Sequence, residues 1–233
     1  YDFPHDPATH VLHDQFMLGP ALMVAPVVTP GATVRQVYFP RGRWLRLMRN
    51  DVVDSAGEHR LVECALDETA VYLREGHILP WGREMSYVGQ REQALERIDV
   101  FPGAAAESSL AVYVDDGESL HYRRGAFGFI DISCCAGDGG DQGASAATGA
   151  ATAAGAAGNR ALSISINARD EAYPCALEVG SVKVLGLDAS APPPHVFLGG
   201  APLPQAAFDR GAGGVLTIRV NAPARKIELE ITP

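Results

Sequence analysis

Asp115, Asp116 and Glu118 bracket Gly117 in the stretch VDDGES, and carboxylates so closely spaced can coordinate calcium or work as an acid and base pair. The calcium reading fails on register. Placing Gly117 at the sixth position of an EF-hand loop puts Val112 at its first position and Arg123 at its twelfth, where oxygen ligands belong. Asp-Gly between two apolar runs is instead a hairpin signal, because glycine reaches the positive φ that a tight turn needs. His5, His10 and His13 form an H-x4-H-x2-H pattern in which two imidazoles could share a face, but Asp6 and Asp14 are only their neighbours in sequence. Solvated loop histidines are the expectation. Gly211 to Gly214, GAGG, lacks the Lys and Ser/Thr of a phosphate loop and reads as another turn.

Trp44, Trp81, Tyr38, Tyr72 and Tyr87 could stack on the C–H faces of a pyranose, although aromatics in β-rich folds more often fill the core. Cys64, Cys134, Cys135 and Cys175 have no C-x-x-C spacing, and the adjacent pair Cys134 and Cys135 would point to opposite faces of a strand. No G-x-S-x-G motif and no Ser/His/Asp grouping is present. The residues themselves therefore assemble no catalytic site, substrate-binding site, metal site or cofactor site.

The elements that must position these residues repeat with period two. In ALSISIN, Leu162, Ile164 and Ile166 alternate with Ser163, Ser165 and Asn167; in KIELEIT, Ile227, Leu229 and Ile231 alternate with Glu228, Glu230 and Thr232. Both are half-buried antiparallel strands. Similar runs at ALMVAPVV, VRQVYF, TAVYL, RIDVF, LAVYV, AFGFIDI, SVKVLGL and VLTIRV are punctuated by Gly, Pro, Asn and Asp, as in a β-sandwich. Helix is expected only as a turn or two near Asp6 to Gln15 and at Gly89 to Leu95. From Ala136 to Gly158 the composition shifts to Gly, Ala, Ser and Thr, and so little apolar area predicts a disordered insertion between two strands. A short alanine-based helix is the rival reading, which the glycines oppose.

With 233 residues, 47% of them hydrophobic, the chain can bury a sizeable core in one or two domains. Its 28 acidic against 19 basic residues leave a formal net charge of −9, which repels phosphate backbones and anionic lipid. Nucleic acid is thereby disfavoured as a partner and a neutral ligand such as a sugar is compatible. No apolar run approaches the roughly 20 residues of a spanning helix, and the N-terminus has no basic region leading into an apolar one, so no membrane segment is expected. Tyr1 stands where an initiator Met would, and the expectation is a C-terminal fragment of a longer protein.

Three motifs in register carry a resemblance. YDFPHDPATHVLHDQFMLGPALMVAPVVTPGATVRQVYFPRGRW, Tyr1 to Trp44, resembles a segment of glycoside hydrolase family 31, the α-glucosidase family: F-x-F-P-x-D-x-x-T, then D-Q-F-x-x-G-x-x-L-x-V-A-P-V. TAVYLREGHILPWG resembles its P-V-x-x-R-x-G-x-I-L-P, and LAVYVDDGESLHYRRGAF resembles its L-x-x-D-D-G-E-S segment. The resemblance spans roughly the first 130 residues; beyond the Ala/Gly-rich segment only the strand pattern is compatible.

The resemblance implies a mainly β chain, with the end of a (β/α)8 barrel followed by two C-terminal antiparallel β-sandwich domains. Residues 1–17 would be the barrel remnant, 18–84 the proximal sandwich, and 85–233 the distal sandwich with the insertion at 136–158. The parent enzyme would hydrolyse terminal α-linked glucose from oligosaccharides with retention, using two carboxyl groups roughly 5 Å apart on barrel strand ends. Those strands would lie upstream of Tyr1, so no catalytic residue transfers onto this chain. Its implied partners are its own catalytic domain and, through the missing barrel, a glycoside substrate. The alternative is a non-catalytic carbohydrate-binding or interaction module. In the parent, Phe16, Met17, Leu18, Leu22, Met23 and Val24 would be divided between barrel and sandwich, leaving some of them exposed here.

Overall fold

The computed structural model describes residues 1–87, 94–103, 107–137, 161–169, 177–224 and 226–233. Two compact units divide the chain, Tyr1–His77 and Ile78–Pro233. In the first, a 3₁₀ turn at Pro7–Val11 precedes β1 (Phe16–Leu18), β2 (Leu22–Ala25), β3 (Val34–Phe39), β4 (Gly42–Arg46), β5 (Val52–Ser55), β6 (Glu58–Glu63) and β7 (Ala70–Arg74). A five-stranded sheet runs in the order β1-β2-β7-β4-β5, and β3 and β6 form a separate two-stranded sheet. Met23, Phe39, Trp44 and Tyr72, each at most 2% exposed, form the core between them. Phe39 and Tyr72 meet edge to face at 4.8 Å, and Trp44 satisfies its indole N–H on the Pro40 carbonyl at 2.9 Å.

Strand β8 (His77–Gly82) starts on the last residue of the first unit and continues into the second. There follow β9 (Ala94–Phe101), β10 (Glu107–Val114), β11 (Gly128–Gly137), β12 (Ala161–Ala168) and β13 (Glu178–Val184). The last strands are β14 (His195–Leu198), β15 (Ala201–Pro202), β16 (Phe208–Gly211), β17 (Val215–Pro223) and β18 (Lys226–Thr232). A six-stranded sheet, β10-β11-β12-β18-β14-β15, shares one core with a five-stranded sheet, β16-β17-β13-β9-β8. The two alternating stretches that announce strands in the sequence are neighbours: Leu162, Ile164 and Ile166 pair with Ile231, Leu229 and Ile227, all buried. Period two places one face of each strand in the core, and the pairing brings the two apolar faces to the same side.

Some expectations need correction. The pair β9 and β13 is parallel, whereas every other pairing with a described register is antiparallel. A parallel neighbour requires a long crossover, here supplied by β10, β11 and β12, which belong to the other sheet. The turn or two of helix expected near Asp6 to Gln15 is one turn of 3₁₀ rather than α-helix, capped by the Asp6 carboxylate accepting from Ala8 N at 3.2 Å, and Phe16 is already strand. Of the expected helix at 89–95, Ala94 and Leu95 are strand and the remainder lies outside the described residues. Most of the insertion at 136–158 also lies outside them. Its flanks are described: Ala136 and Gly137 are still strand, paired with Leu162 and Ala161.

Candidate docking face

Within the first unit the segment Tyr1–Gln15 is fastened to β3 by a chain of polar contacts. Gln15 brackets the Tyr38 peptide, its Nε2 donating to Tyr38 O at 2.7 Å and its Oε1 accepting from Tyr38 N at 2.9 Å. The Tyr38 hydroxyl donates to Asp6 Oδ2 at 2.7 Å. Burial, reinforced by that carboxylate, pushes the Tyr38 phenol up to about 12, so it stays a donor at every physiological pH. The buried Arg35 guanidinium pairs with Asp14 Oδ2 at 2.9 Å, donates to Asp14 O at 2.8 Å, and donates to the Pro26 carbonyl. Phe3 packs against Trp44 at 6.1 Å between ring centroids, and the Arg74 guanidinium lies 4.7 Å from the Phe3 ring centroid.

These anchors hold β1 as the outer strand of its sheet, paired among the described residues only to β2, through Phe16, Met17 and Leu18. Alternation then decides which side chains face water. Met23 is buried, whereas Phe16 is 55% and Leu18 61% exposed, with Val11 76% exposed on the preceding turn. A cleft of about 360 Å³ opens beside them, lined by Phe3, Leu12, Phe16, Met17, Met23 and Pro40 among others. Its wall is mostly apolar, with Asp2 as its one carboxylate, so it offers no acid and base pair. An exposed apolar edge strand beside an apolar cleft is the signature of a surface meant to be covered. Of the six residues Phe16, Met17, Leu18, Leu22, Met23 and Val24, some of which were expected to be exposed in this chain, Phe16 and Leu18 are.

The groups singled out in the sequence do not converge on one another. His5, His10 and His13 are exposed; among the described residues His10 and His13 hydrogen-bond to the carbonyls of Pro4 and Val11, at 3.3 Å each. Among the described residues no cluster of His, Cys, Asp or Glu could hold a metal. Asp115 accepts from Gly117 N at 2.8 Å, and Asp116 from Glu118 N and Ser119 N at 3.1 and 3.0 Å, so the carboxylates organise their own loop. Gly117 has the expected positive φ of 65°, but the hairpin it serves is longer than a tight turn: β10 and β11 are joined through a 3₁₀ turn at His121–Arg124. GAGG closes the tight β16–β17 hairpin, where Gly211 pairs with Val215.

Of the five candidate stacking aromatics, Tyr38, Trp44 and Tyr72 are buried and Tyr87 is exposed. Trp81 is committed to Asp99 by a 2.7 Å hydrogen bond and lies under the Arg97 guanidinium at 4.4 Å. Cys134 is buried, its thiol pushed up to about 12 by desolvation, while Cys135 faces outward as the strand periodicity requires. Cys175 lies outside the described residues. Asp6, Asp14 and Gln15 were not singled out in the sequence as anchors; the signal for the last two is the pair Asp14-Gln15 directly before an apolar strand.

Comparison with known proteins bears on this face directly. Residues 1–79, which include all of β1 to β7, match the glycosyl hydrolase family 31 C-terminal domain. The chain is 33% identical over 152 residues to mouse lysosomal alpha-glucosidase, covering 57% of this chain and 16% of that protein. It is 24% identical over 127 residues to alpha-glucosidase 2 of Bacillus thermoamyloliquefaciens, covering 54% of this chain and again 16% of the relative. The chain thus spans only about a sixth of these relatives. In fold, all of it superposes on 28% of a family 31 dextranase from Flavobacterium johnsoniae, with a TM-score of 0.77 at 24% identity.

Proposed function

From the match of residues 1–79 to the glycosyl hydrolase family 31 C-terminal domain, we propose that the chain belongs to that family and is the non-catalytic flank of a retaining α-glucosidase-like enzyme. In this reading residues 1–17 end the catalytic (β/α)8 barrel, 18–84 form the proximal sandwich and 85–233 the distal one. The carboxylate pair that cleaves the glycoside belongs to the barrel, and the substrate is a terminal α-linked glucose unit of an oligosaccharide. Being similar to alpha-glucosidases supports the class of reaction; the division into units at Tyr1–His77 and Ile78–Pro233 supports two accessory domains.

One observation carries the proposal. Phe16 and Leu18 stand exposed on an outer strand whose preceding segment is pinned by Asp6, Asp14 and Gln15. Polar anchors that rigid hold an apolar edge in place only to the benefit of something packed on it, since inter-domain apolar area contributes about 25 cal/mol per Å². The test is paired expression. The chain alone should bind a hydrophobic dye, self-associate and leave an aryl α-glucoside intact, whereas the same chain continuous with its upstream coding sequence should be dye-silent and active. Chain-dependent turnover that persists through repurification of the chain alone would overturn the reading. A dye-silent, monodisperse monomer would favour the rival, a free-standing carbohydrate-binding or interaction module.

A further inference from the structure

The outward face of the six-stranded sheet carries an aromatic cluster that neither core uses. The β10–β11 register sets Tyr113 opposite Phe129, and Phe127 stacks on Tyr113 with centroids 5.6 Å apart and planes 28° apart. Phe129 meets both rings edge-on, at 5.7 and 5.9 Å. Core packing does not explain them. The inward positions of the same strands are taken by Val114, Ile130 and Ile132, all buried, whereas Tyr113 is 47% exposed and Phe127 and Phe129 are half-buried.

Beside the rings the same face continues in short polar groups. Arg169 lies 4.9 Å over Phe129 and clasps Asp131 with two hydrogen bonds, at 2.8 and 2.5 Å. Asp131 is paired across the strands with Asn167, and Ser133 with Ser165, their hydroxyls 2.8 Å apart. At the loop end the Tyr113 hydroxyl donates to Asp115 at 3.0 Å. Rings held in place by one another lose little side-chain entropy on binding, and planar carboxylate, guanidinium and amide groups on a rigid sheet can each share hydrogen bonds with vicinal hydroxyls. Together these are the two needs of a pyranose, an apolar C–H face and a polar edge.

We propose that this face, centred on Tyr113, Phe127, Phe129 and the Asp131–Arg169 pair, is an accessory binding site for a neutral α-glucan chain. Charge disfavours polyanions: the Asp131–Arg169 pair leaves the face without a net positive charge, Asp115 adds a carboxylate at its loop end, and the chain carries −9 overall. The choice of an α-glucan rests on the functional reading above, in which the attached enzyme acts on α-linked glucose; the site would tether the polymer while the barrel cleaves it, raising local substrate concentration.

The experiment is affinity electrophoresis of the chain in native gels with and without dissolved dextran or amylopectin. The wild-type chain is expected to be retarded by at least one of the polymers. Retardation should fall several-fold in Y113A and in D131N, and persist in a Leu18→Ser variant altered on the docking face. Near-UV circular dichroism of each variant separates lost binding from lost folding, and the conservative Tyr113→Trp variant, which keeps the stacking surface, should retain retardation. No retardation of the wild-type chain by either polymer, or retardation unchanged in folded Y113A and D131N, would overturn the proposal. In the barrel-containing protein, Y113A should raise KM for dextran or amylopectin and leave hydrolysis of a small aryl α-glucoside unchanged. Aryl-glucoside turnover without polymer retardation defeats this site alone, while retardation without any turnover in the longer protein defeats the glycosidase reading alone.

Discussion

Trp81 donates its indole N–H to Asp99 Oδ2 at 2.7 Å, tying β8 to its neighbour β9 through a carboxylate that is only 3% exposed at the residue level. Arg97 completes the arrangement, its Nε 2.8 Å from Asp99 Oδ1 and its guanidinium over the indole. Desolvation nevertheless holds the Asp99 carboxyl above the usual range, outweighing Arg97 and Trp81. Because its folded pKa is raised, folding takes up proton at this site, and its contribution to stability falls as pH rises from the unfolded value through the folded one.

The first prediction follows from that sign. Trp81→Phe keeps an aromatic ring, though a smaller one, and deletes the donor, so it should cost about 1–3 kcal/mol near neutral pH. Chemical denaturation at a series of pH values should show the deficit shrinking as pH falls through the Asp99 titration, since a protonated carboxyl has less need of the lost donor. A deficit independent of pH would mean that the hydrogen bond is not the source of the loss.

Glu68 gathers two arginines in the first unit, Arg46 at 2.6 Å and Arg49 at 2.8 Å, while Arg46 also donates to Glu63 O at 2.7 Å. Burial works against the Glu68 carboxylate, but the Arg49 hydrogen bond and the charge of Arg46 together hold its pKa below the ordinary range. The stabilisation is therefore present above the unfolded Glu value, about 4.3, and is lost as pH falls through the lower folded one. Glu68→Gln should destabilise by about 2 kcal/mol at pH 7, because the side chain of Arg46 is left buried at 7% exposure. Urea midpoints of variant and wild type should converge in acid.

Gly214 makes a sharper steric prediction. It sits at φ +71°, its carbonyl accepts from Leu187 N at 2.9 Å, and a Cβ placed on it would stand 1.9 Å from Leu187 O. Gly214→Ala should thus combine the left-handed penalty with a backbone clash and cost more than about 3 kcal/mol. Gly199, at φ +58° with open space around it, is the control: Gly199→Ala should cost only about 1–2 kcal/mol. Equal thermal midpoints for the two variants would refute the steric account.

Ala136 and Gly137 are in register with Leu162 and Ala161, so the β11–β12 pair is already formed at the point where the Ala/Gly-rich segment leaves it. Replacing residues 138–160 by Asn-Gly, which supplies a two-residue hairpin turn, should leave the thermal midpoint within a few degrees. A fall of many degrees would show that the replaced segment contributes packing of its own.

How much of this was legible beforehand depended on the range of the interaction. Period two in ALSISIN and KIELEIT announced strands, because side-chain alternation is a property of a few consecutive residues, and the buried faces are those the pattern marked. The opposite fates of Cys134 and Cys135, and the glycine turn at Gly211 to Gly214, were local in the same sense. The family motifs at Tyr1 to Trp44 were likewise readable as written, and the matching domain covers residues 1–79. What the tertiary structure alone decided involves partners far apart in the chain: the parallel pairing of β9 with β13, the clamps of Asp6 and Gln15 on Tyr38, and the assignment of Trp81 to Asp99 rather than to a sugar. Alternation tells a strand which side chains to bury; it carries no information about which distant strand will lie beside it, because backbone hydrogen bonding is the same for every neighbour and only the packed core selects among them.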